Sequence, residues 1–339
     1  MVLMFSFFLR HVDTRWLESV PALERFLDHW DSTVEYFMEY IPHSSNPNNK
    51  NALKSDTYKA ISVHLCLQER TKTKIRAKVL LMVAQLTKPF LTMMQSVKPM
   101  IHVLLSAAGD MFRAIARVIV KPEKISSTLA GIKAMKLTSS SGTSPSCLLD
   151  SKDCKFVACI RGELNSLEKQ DRVEVRMECR RGILAMLCYL QNNIPFDSLF
   201  LLHVSFLDPH KRTGPDVINY AVAAAAHLNR FTEEELVKLS SQLVLYQALP
   251  EEKVASHRGD RVDHYWREIF KLLKDAAGGA RQLELELLVK LCCTLSHGNA
   301  MLERGMGHTK RIVEGRRSMG STTIQALKVV GQVNSHLTL

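Results

Sequence analysis

The stretch "WLESVPALERFLDHWDSTVEYFMEYI", residues 16–41, decides the fold class of this chain. Its apolar residues recur every three or four positions, which is the spacing of one face of an α-helix. A break near Asp31 divides the pattern into two successive amphipathic helices. The apolar positions are Trp16, Val20, Leu23, Phe26, Leu27 and Trp30 before the break, and Val34, Phe37 and Ile41 after it.

The same period extends along the rest of the chain. "FTEEELVKLSSQLVLYQAL" opens with a capping box, in which Thr232 is followed three residues later by Glu235. Ser55 or Asp56 can cap another helix, and "RGELNSLEKQDRVEVRMECRRGILAMLCYLQNN" suits one long helix or a helix pair. Few stretches alternate with period two, so the sequence predicts a mainly α protein.

Breaks in the pattern divide the chain into segments. The region 58–120 is expected to form several packed helices, punctuated by Pro89, Pro99 and Gly109. "KLTSSSGTSPSCLLDSKD", residues 136–153, is rich in Ser and Gly and predicts a linker.

Charge narrows the class of partner. The 339 residues include 45 Lys plus Arg against 34 Asp plus Glu, a net charge of +11. This excess favours a polyanion as partner, either nucleic acid or an acidic membrane surface.

No apolar run approaches the roughly 18 residues that span a bilayer, and the eight cysteines include no C-x-x-C pair. These features predict a soluble, intracellular protein with reduced thiols and no membrane partner.

Two local patterns each allow two interpretations. "RTKTKIRAK" carries bases at alternate positions, which a helix spreads around its surface, so they form either a solvated surface or phosphate contacts. Three aromatic clusters are either core or base-stacking platforms. The bases are Arg70, Lys72, Lys74, Arg76 and Lys78; the clusters are Trp16 with Trp30, Tyr36 with Phe37, and Tyr265 with Trp266.

Four segments, in order along the chain, resemble the hAT superfamily of DNA transposases. "DTRWLESVPALERFLDHWDSTVEYF" is similar to the family's Arg-Trp motif region, "SFLDPHKR" to its Leu-Asp-Pro segment and "VDHYWREIFKLL" to its aromatic-rich helix. "LSHGNAMLERGMGHTKRIVEGRRSMGSTTIQALKVV" resembles its C-terminal dimerisation region. The resemblance runs from Asp13 almost to the end of the chain.

The resemblance implies a ribonuclease-H-like catalytic core in which three carboxylates hold divalent metals about 4 Å apart. Glu303 matches the third carboxylate, and Trp16 matches the tryptophan that stabilises a distorted base beside the cut. The first two aspartates of the family lie upstream of the Arg-Trp motif, which only about a dozen residues precede here. The metal site is therefore incomplete in this chain, with Glu303 alone.

The resemblance also implies binding surfaces. The residues expected to contact DNA are Arg15, Trp16, Arg304, Lys310 and Arg311, and those expected to mediate dimerisation are Ile312, Ile324 and Leu327.

The expected architecture is the helical insertion domain of an hAT transposase plus the C-terminal helices of a split ribonuclease-H-like domain whose sheet is largely missing. Residues 1–50 would hold the Arg-Trp motif and first helices, 51–290 the insertion domain, and 291–339 the dimerisation region with the remnant catalytic helix.

The expected function is that of a catalytically inactive, transposase-derived protein that forms homo-oligomers or pairs with related hAT-type proteins, and contacts DNA non-specifically. No cofactor is expected for this chain. Two alternatives remain open. The chain could be the C-terminal part of an active transposase that uses Mg²⁺ or Mn²⁺, or a helical interaction scaffold without a DNA role. A DNA-bound protein would be nuclear.

Overall fold

The structure is a computed structural model that describes residues 16–96, 98–137, 146–259, 261–276 and 283–295. Across these residues the fold is helical, and the only β-type pairing is one antiparallel bridge between Val120 and Leu148. The prediction of a mainly α protein is confirmed. The chain divides into two compact units, one formed by residues up to 92 with 105–198, the other by 93–104 with the residues from 199 onward.

The first unit contains most of the helices in the described part of the chain. A π-helical segment, Tyr36–Tyr40, follows α2, and the last two residues of α6 and first four of α7 are grouped with the second unit. The helices are α1 (Trp16–Asp28), α2 (Trp30–Glu35), α3 (Ile41–His43), α4 (Pro47–Lys54), α5 (Asp56–Leu65), α6 (Arg70–Met94), α7 (Ile101–Ile119), α8 (Leu129–Ala134), α9 (Arg161–Asn165) and α10 (Lys169–Asn193).

The second unit adds six α-helices within the described residues, with 3-10 turns at Val204–Leu207 and Pro209–Lys211. The helices are α11 (Leu199–His203), α12 (Val217–Leu228), α13 (Glu233–Ala248), α14 (Glu251–Ala255), α15 (Val262–Ala276) and α16 (Glu284–Thr294).

Caps define several helix ends. The Ser55 hydroxyl accepts a hydrogen bond from the Tyr58 backbone at 3.1 Å, so Ser55 rather than Asp56 caps α5. The capping box predicted at α13 is confirmed: the Thr232 backbone donates to Glu235 at 2.7 Å, and the Glu235 backbone donates to the Thr232 hydroxyl at 3.3 Å. These bonds satisfy amide groups that the first helical turn leaves unpaired.

Two predicted breaks lie inside helices. Pro89 cannot donate a hydrogen bond to the Gln85 carbonyl, yet α6 continues past it to Met94, so the prediction of a break there is wrong. Gly109 lies within α7, where a Cβ atom would come within 2.6 Å of Leu129. Glycine at this position therefore permits close packing. Pro99 does fall between α6 and α7, and the segment that suited one helix or two forms the pair α9 and α10.

Each unit has its own core. In the first, a cluster of Trp30, Phe37, Ile41 and Leu65 joins the N-terminal helices. In the second, a larger cluster surrounds Trp266, which is completely buried. Burying an aromatic ring of this size removes 150–250 Å² of mostly apolar surface from water, which is a major stabilising term.

None of the helices in the described ranges is long and apolar enough to cross a membrane.

Candidate functional site

Most of the site residues suggested by the family resemblance lie outside the described part of the chain. Trp16 begins α1, but its side chain is not described. The others outside the described ranges are Arg15, Glu303, Arg304, Lys310, Arg311, Ile312, Ile324 and Leu327.

The basic run at the start of α6 is largely neutralised within the first unit. Lys72 lies 2.8 Å from Asp171 and 3.5 Å from Glu174, both on α10, and its side chain is only 11% exposed. The hydrogen bond to Asp171 raises the pKa of Lys72, and the neighbouring Glu69 reinforces that shift while burial opposes it. Lys72 therefore acts as a charged link between two helices.

Arg76 and Lys78 are paired in the same way. The Arg76 guanidinium donates to Glu178 on α10 at 2.9 Å and to Glu69 at 3.2 Å, while Lys78 pairs with Glu163 on α9. Neither a solvated surface nor a set of phosphate contacts describes these paired bases. For Lys72, Arg76 and Lys78 the sequence interpretation is therefore wrong, because most of the acids that neutralise them lie 85–102 residues away.

A groove of about 990 Å³ opens beside this run in the first unit. One row along it is acidic and consists of Asp31, Glu35 and Glu39, all exposed and four residues apart. Among the described residues, none of these three carboxylates takes part in an ion pair of 4 Å or less. The row thus presents three carboxylates that no described cation pairs with directly.

An apolar row runs parallel to the acidic one, one position earlier in the sequence. Trp30, Val34 and Met38 form it, and Leu65 and Leu67 add apolar surface from the end of α5 and the following turn. The Leu67 side chain is 77% exposed. Together with Val34 and Met38, this side chain gives the groove apolar area that a bound partner would remove from water.

Two basic residues complete the lining of the groove. Arg70 is exposed, and the Lys74 ammonium lies 5.8 Å from the centre of the Trp30 ring, within the range of a cation–π interaction. The groove therefore combines an apolar row with charges of both signs, and the carboxylates are more numerous.

The aromatic clusters are mostly core. Trp30, Phe37, Tyr265 and Trp266 are all buried, which confirms the core interpretation for them and leaves no exposed face on which a base could stack. Tyr36 is the exception: it is 46% exposed and stacks on Tyr40 at 5.5 Å.

In the second unit, Arg212 at the end of the "SFLDPHKR" segment is buried. Its Nη1 donates to the carbonyls of Tyr246, Gln247 and Leu249 at 2.8–3.2 Å, and its Nη2 pairs with Glu251. These carbonyls belong to the end of α13, where a helix leaves its last carbonyl groups unpaired. Arg212 therefore has a structural role as a cap for α13.

A histidine pair marks the surface of the second unit. The rings of His203 on α11 and His227 on α12 lie 5.5 Å apart. Burial and the positive charge of His227 together lower the pKa of His203. Within the described residues, no three His, Cys, Asp or Glu side chains form a group that could hold a metal ion.

All eight cysteines are free thiols. Cys154, Cys179 and Cys292 are buried, and burial raises the pKa of Cys154 to about 11 and that of Cys179 to about 12. Such thiols stay protonated near neutral pH, so they are poor nucleophiles.

No protein-family model, curated protein or solved structure matches this chain. The sequence carries a signal for the groove besides its apolar period, namely a second, acidic row at four-residue spacing in "WDSTVEYFME".

Proposed function

We propose that this chain is a transposase-derived helical protein that acts by binding, chiefly by self-association through residues 291–339, and not by catalysis. On this proposal its fold is the hAT insertion domain with the C-terminal helices of a split ribonuclease-H-like domain. Glu303 is then a remnant of the third catalytic carboxylate, and Ile312, Ile324 and Leu327 contribute to the contact between copies.

The observation that carries the proposal is the order of four hAT-like segments, together with a contact between two of them. Trp266 of "VDHYWREIFKLL" donates from its indole nitrogen to the carbonyl of Leu207 in "SFLDPHKR" at 3.0 Å. Both groups are buried, so each needs the other as a hydrogen-bond partner. Two segments linked only by resemblance to one family thus share one core, which supports a common origin.

Non-specific DNA contact through Arg15, Trp16, Arg304, Lys310 and Arg311 is the second part of the proposal. A scaffold without a DNA role is the competing candidate. The pairing of Lys72, Arg76 and Lys78 favours that candidate, because it removes three bases from the surface available to phosphates.

The state of association tests the first part. We expect the purified chain to sediment as a dimer at micromolar concentration, and the double variant Ile324→Asp with Leu327→Asp to sediment as a monomer. Val237→Asp is the matched control, because Val237 is 67% exposed on α13 and should leave the dimer intact. A wild-type monomer would contradict the proposal.

The salt dependence of duplex DNA affinity tests the second part. Each phosphate contact adds about −0.9 to the slope of log affinity against log salt. Replacing Lys310 and Arg311 by alanine should therefore reduce the slope by about two. A flat dependence in the wild-type chain would favour the scaffold.

An active enzyme remains a second candidate because Glu303 matches a catalytic carboxylate. The mass of the endogenous product separates the two. A product well above 38.3 kDa that carries two upstream aspartates, and whose metal-dependent nicking of DNA is lost on Glu303→Gln, would favour the enzyme.

A further inference from the structure

We propose that the groove of the first unit binds a basic amphipathic helix of a partner protein. This inference goes beyond the proposed function, because it concerns a different surface and a different occupant from the self-association of residues 291–339. It is independent of the transposase resemblance.

The acidic row supplies charge at a helical repeat. Asp31, Glu35 and Glu39 follow one another along α2 and the π-helical segment. Asp31 and Glu35 are one four-residue α-helical step apart, about 6 Å, and Lys or Arg residues four apart on another α-helix repeat at the same distance. A partner helix with such a basic edge would meet these two carboxylates in register, and Glu39 in the π-helical segment beyond them adds a third negative charge.

The apolar row supplies the contact area. Val34 and Met38 are half-buried beside the acidic row, and Leu67 across the groove is largely exposed. Leucine or phenylalanine residues that recur every three or four positions along the partner helix would cover these side chains and remove their surface from water. The two rows together match a helix with one apolar face and one basic edge.

The other charges in the groove offset the acidic row only in part, because Arg70 and Lys74 supply two positive charges against its three carboxylates. Glu163 is engaged by Lys78, and that hydrogen bond keeps the pKa of Glu163 low in spite of its burial. Lys74 lies over the Trp30 ring, and Arg70 is available for an acidic residue of the partner. Three unpaired carboxylates repel phosphate, so a nucleic acid is a poor occupant of this groove.

A labelled model peptide tests the proposal on the full chain. The probe is a helix of about 18 residues made only of Leu and Lys, with Leu on one face, and the matched probe replaces every Lys with Glu. We expect fluorescence anisotropy to detect binding of the Leu/Lys peptide and none of the Leu/Glu peptide. The net charge of +11 repels a cationic peptide overall, so binding reports a local acidic site.

Charge reversal in the groove should abolish this binding. Glu35→Lys with Glu39→Lys should weaken the Leu/Lys peptide by about tenfold or more, and Leu67→Ser should weaken it severalfold by removing apolar contact. The matched control is Glu123→Lys with Glu252→Lys, which makes the same change in net charge at exposed positions outside the groove and should leave affinity within about twofold.

Three results would overturn the proposal. One is a failure of the Leu/Lys peptide to bind at concentrations up to about 1 mM. The second is equal loss of binding in the groove variant and its control. The third is a loss of duplex DNA affinity on Leu67→Ser that matches the loss of peptide affinity, which would make nucleic acid the occupant. Since the groove residues Glu35, Glu39 and Leu67 lie outside residues 291–339, failure here leaves the association test unaffected.

Discussion

Lys72 in the first unit and Arg212 in the second are both buried cations, but they are held in different ways. In the first, Lys72 joins α6 to α10 through carboxylates that remain in contact with water: the Asp171 side chain is 35% exposed. In the second, Arg212 is 3% exposed and is held mainly by backbone carbonyls at the end of α13. One arrangement joins two helices by ion pairs, and the other completes the hydrogen bonding of a single helix.

The difference indicates which condition should weaken each of these contacts. Ion pairs near the surface are screened by salt, so the contact of α6 with α10 should depend on ionic strength. Hydrogen bonds from a buried guanidinium to carbonyls are shielded from ions, so they should not. Replacing each of the two cations in turn, and measuring stability at low and high salt, tests this difference.

The largest effect is expected from Arg212→Ala. Loss of the guanidinium removes a donor from the Tyr246, Gln247 and Leu249 carbonyls and leaves Glu251 paired with Arg258 alone. It also opens a cavity against the Tyr246 ring, 6.0 Å away. We expect a loss of about 3–5 kcal/mol in the free energy of unfolding, measured by urea denaturation. Lys211→Ala, an exposed neighbour, is the control. A loss no larger than that of the control would contradict the capping role of Arg212.

Trp266→Phe should come next. The substitution keeps an aromatic ring among Phe206, Tyr246 and Phe270 but removes the indole donor, so the buried Leu207 carbonyl loses its partner. The expected cost is about 2 kcal/mol, insensitive to salt. The comparison variant is Tyr265→Phe, which removes a buried hydroxyl bonded to the Tyr246 hydroxyl at 2.7 Å. In that variant a side chain loses its hydrogen-bond partner, whereas in Trp266→Phe a backbone carbonyl does. Equal stability of the Trp266 variant and the wild-type chain would show that the hydrogen bond contributes nothing.

What could be predicted from the sequence was local. Helical period and the capping box of Thr232 with Glu235 involve residues within a few positions of one another, so a single pass along the chain finds them. The pairing of Lys72 with Asp171 joins residues 99 positions apart, and no spacing rule connects them. The buried position of Arg212 was equally hidden, because arginine is rarely buried and "SFLDPHKR" has the composition of a surface turn.

The groove of the first unit could be predicted from the sequence only in part. Its acidic row on α2 and the π-helical segment is visible at four-residue spacing, as is the apolar row beside it. What the sequence could not give is the opposite side, where Leu67 and Arg70 follow α5 after a turn and Gly162 comes from α9. A helix face can be predicted, but the neighbour that makes it a groove depends on tertiary packing.

Lys72→Met should produce a smaller, salt-dependent loss. Methionine keeps most of the apolar stem but not the charge, so Asp171 and Glu69 lose a shared cation. Because Asp171 can be partly rehydrated, we expect about 1–2 kcal/mol at low salt, and less at high salt. The matched control is Lys59→Met, whose partner Asp56 is fully exposed, and its cost should stay below about 0.5 kcal/mol. A loss that did not change with salt would remove the proposed distinction between the two units.

The smallest effect should come from His203 and should appear only in acid. Because burial and His227 lower the pKa of His203 below its ordinary value of 6.5, the unfolded chain binds a proton in a pH range where the folded chain does not. The free energy of unfolding should therefore fall as the pH decreases from 6.5 toward the lowered pKa of the folded state, and level off below it.

His203→Phe should reduce this slope, and His227→Gln should reduce it in part by removing the repulsion. His64→Gln is the control variant, because it removes one histidine from an exposed position outside the pair. If the His203 and His64 variants show the same dependence on pH, the second unit owes none of its acid sensitivity to this pair. A steeper fall in the wild-type chain than in the His203 variant would instead place an acid-sensitive group in the second unit, whereas the ion pairs of Lys72, which are expected to respond to salt, lie in the first.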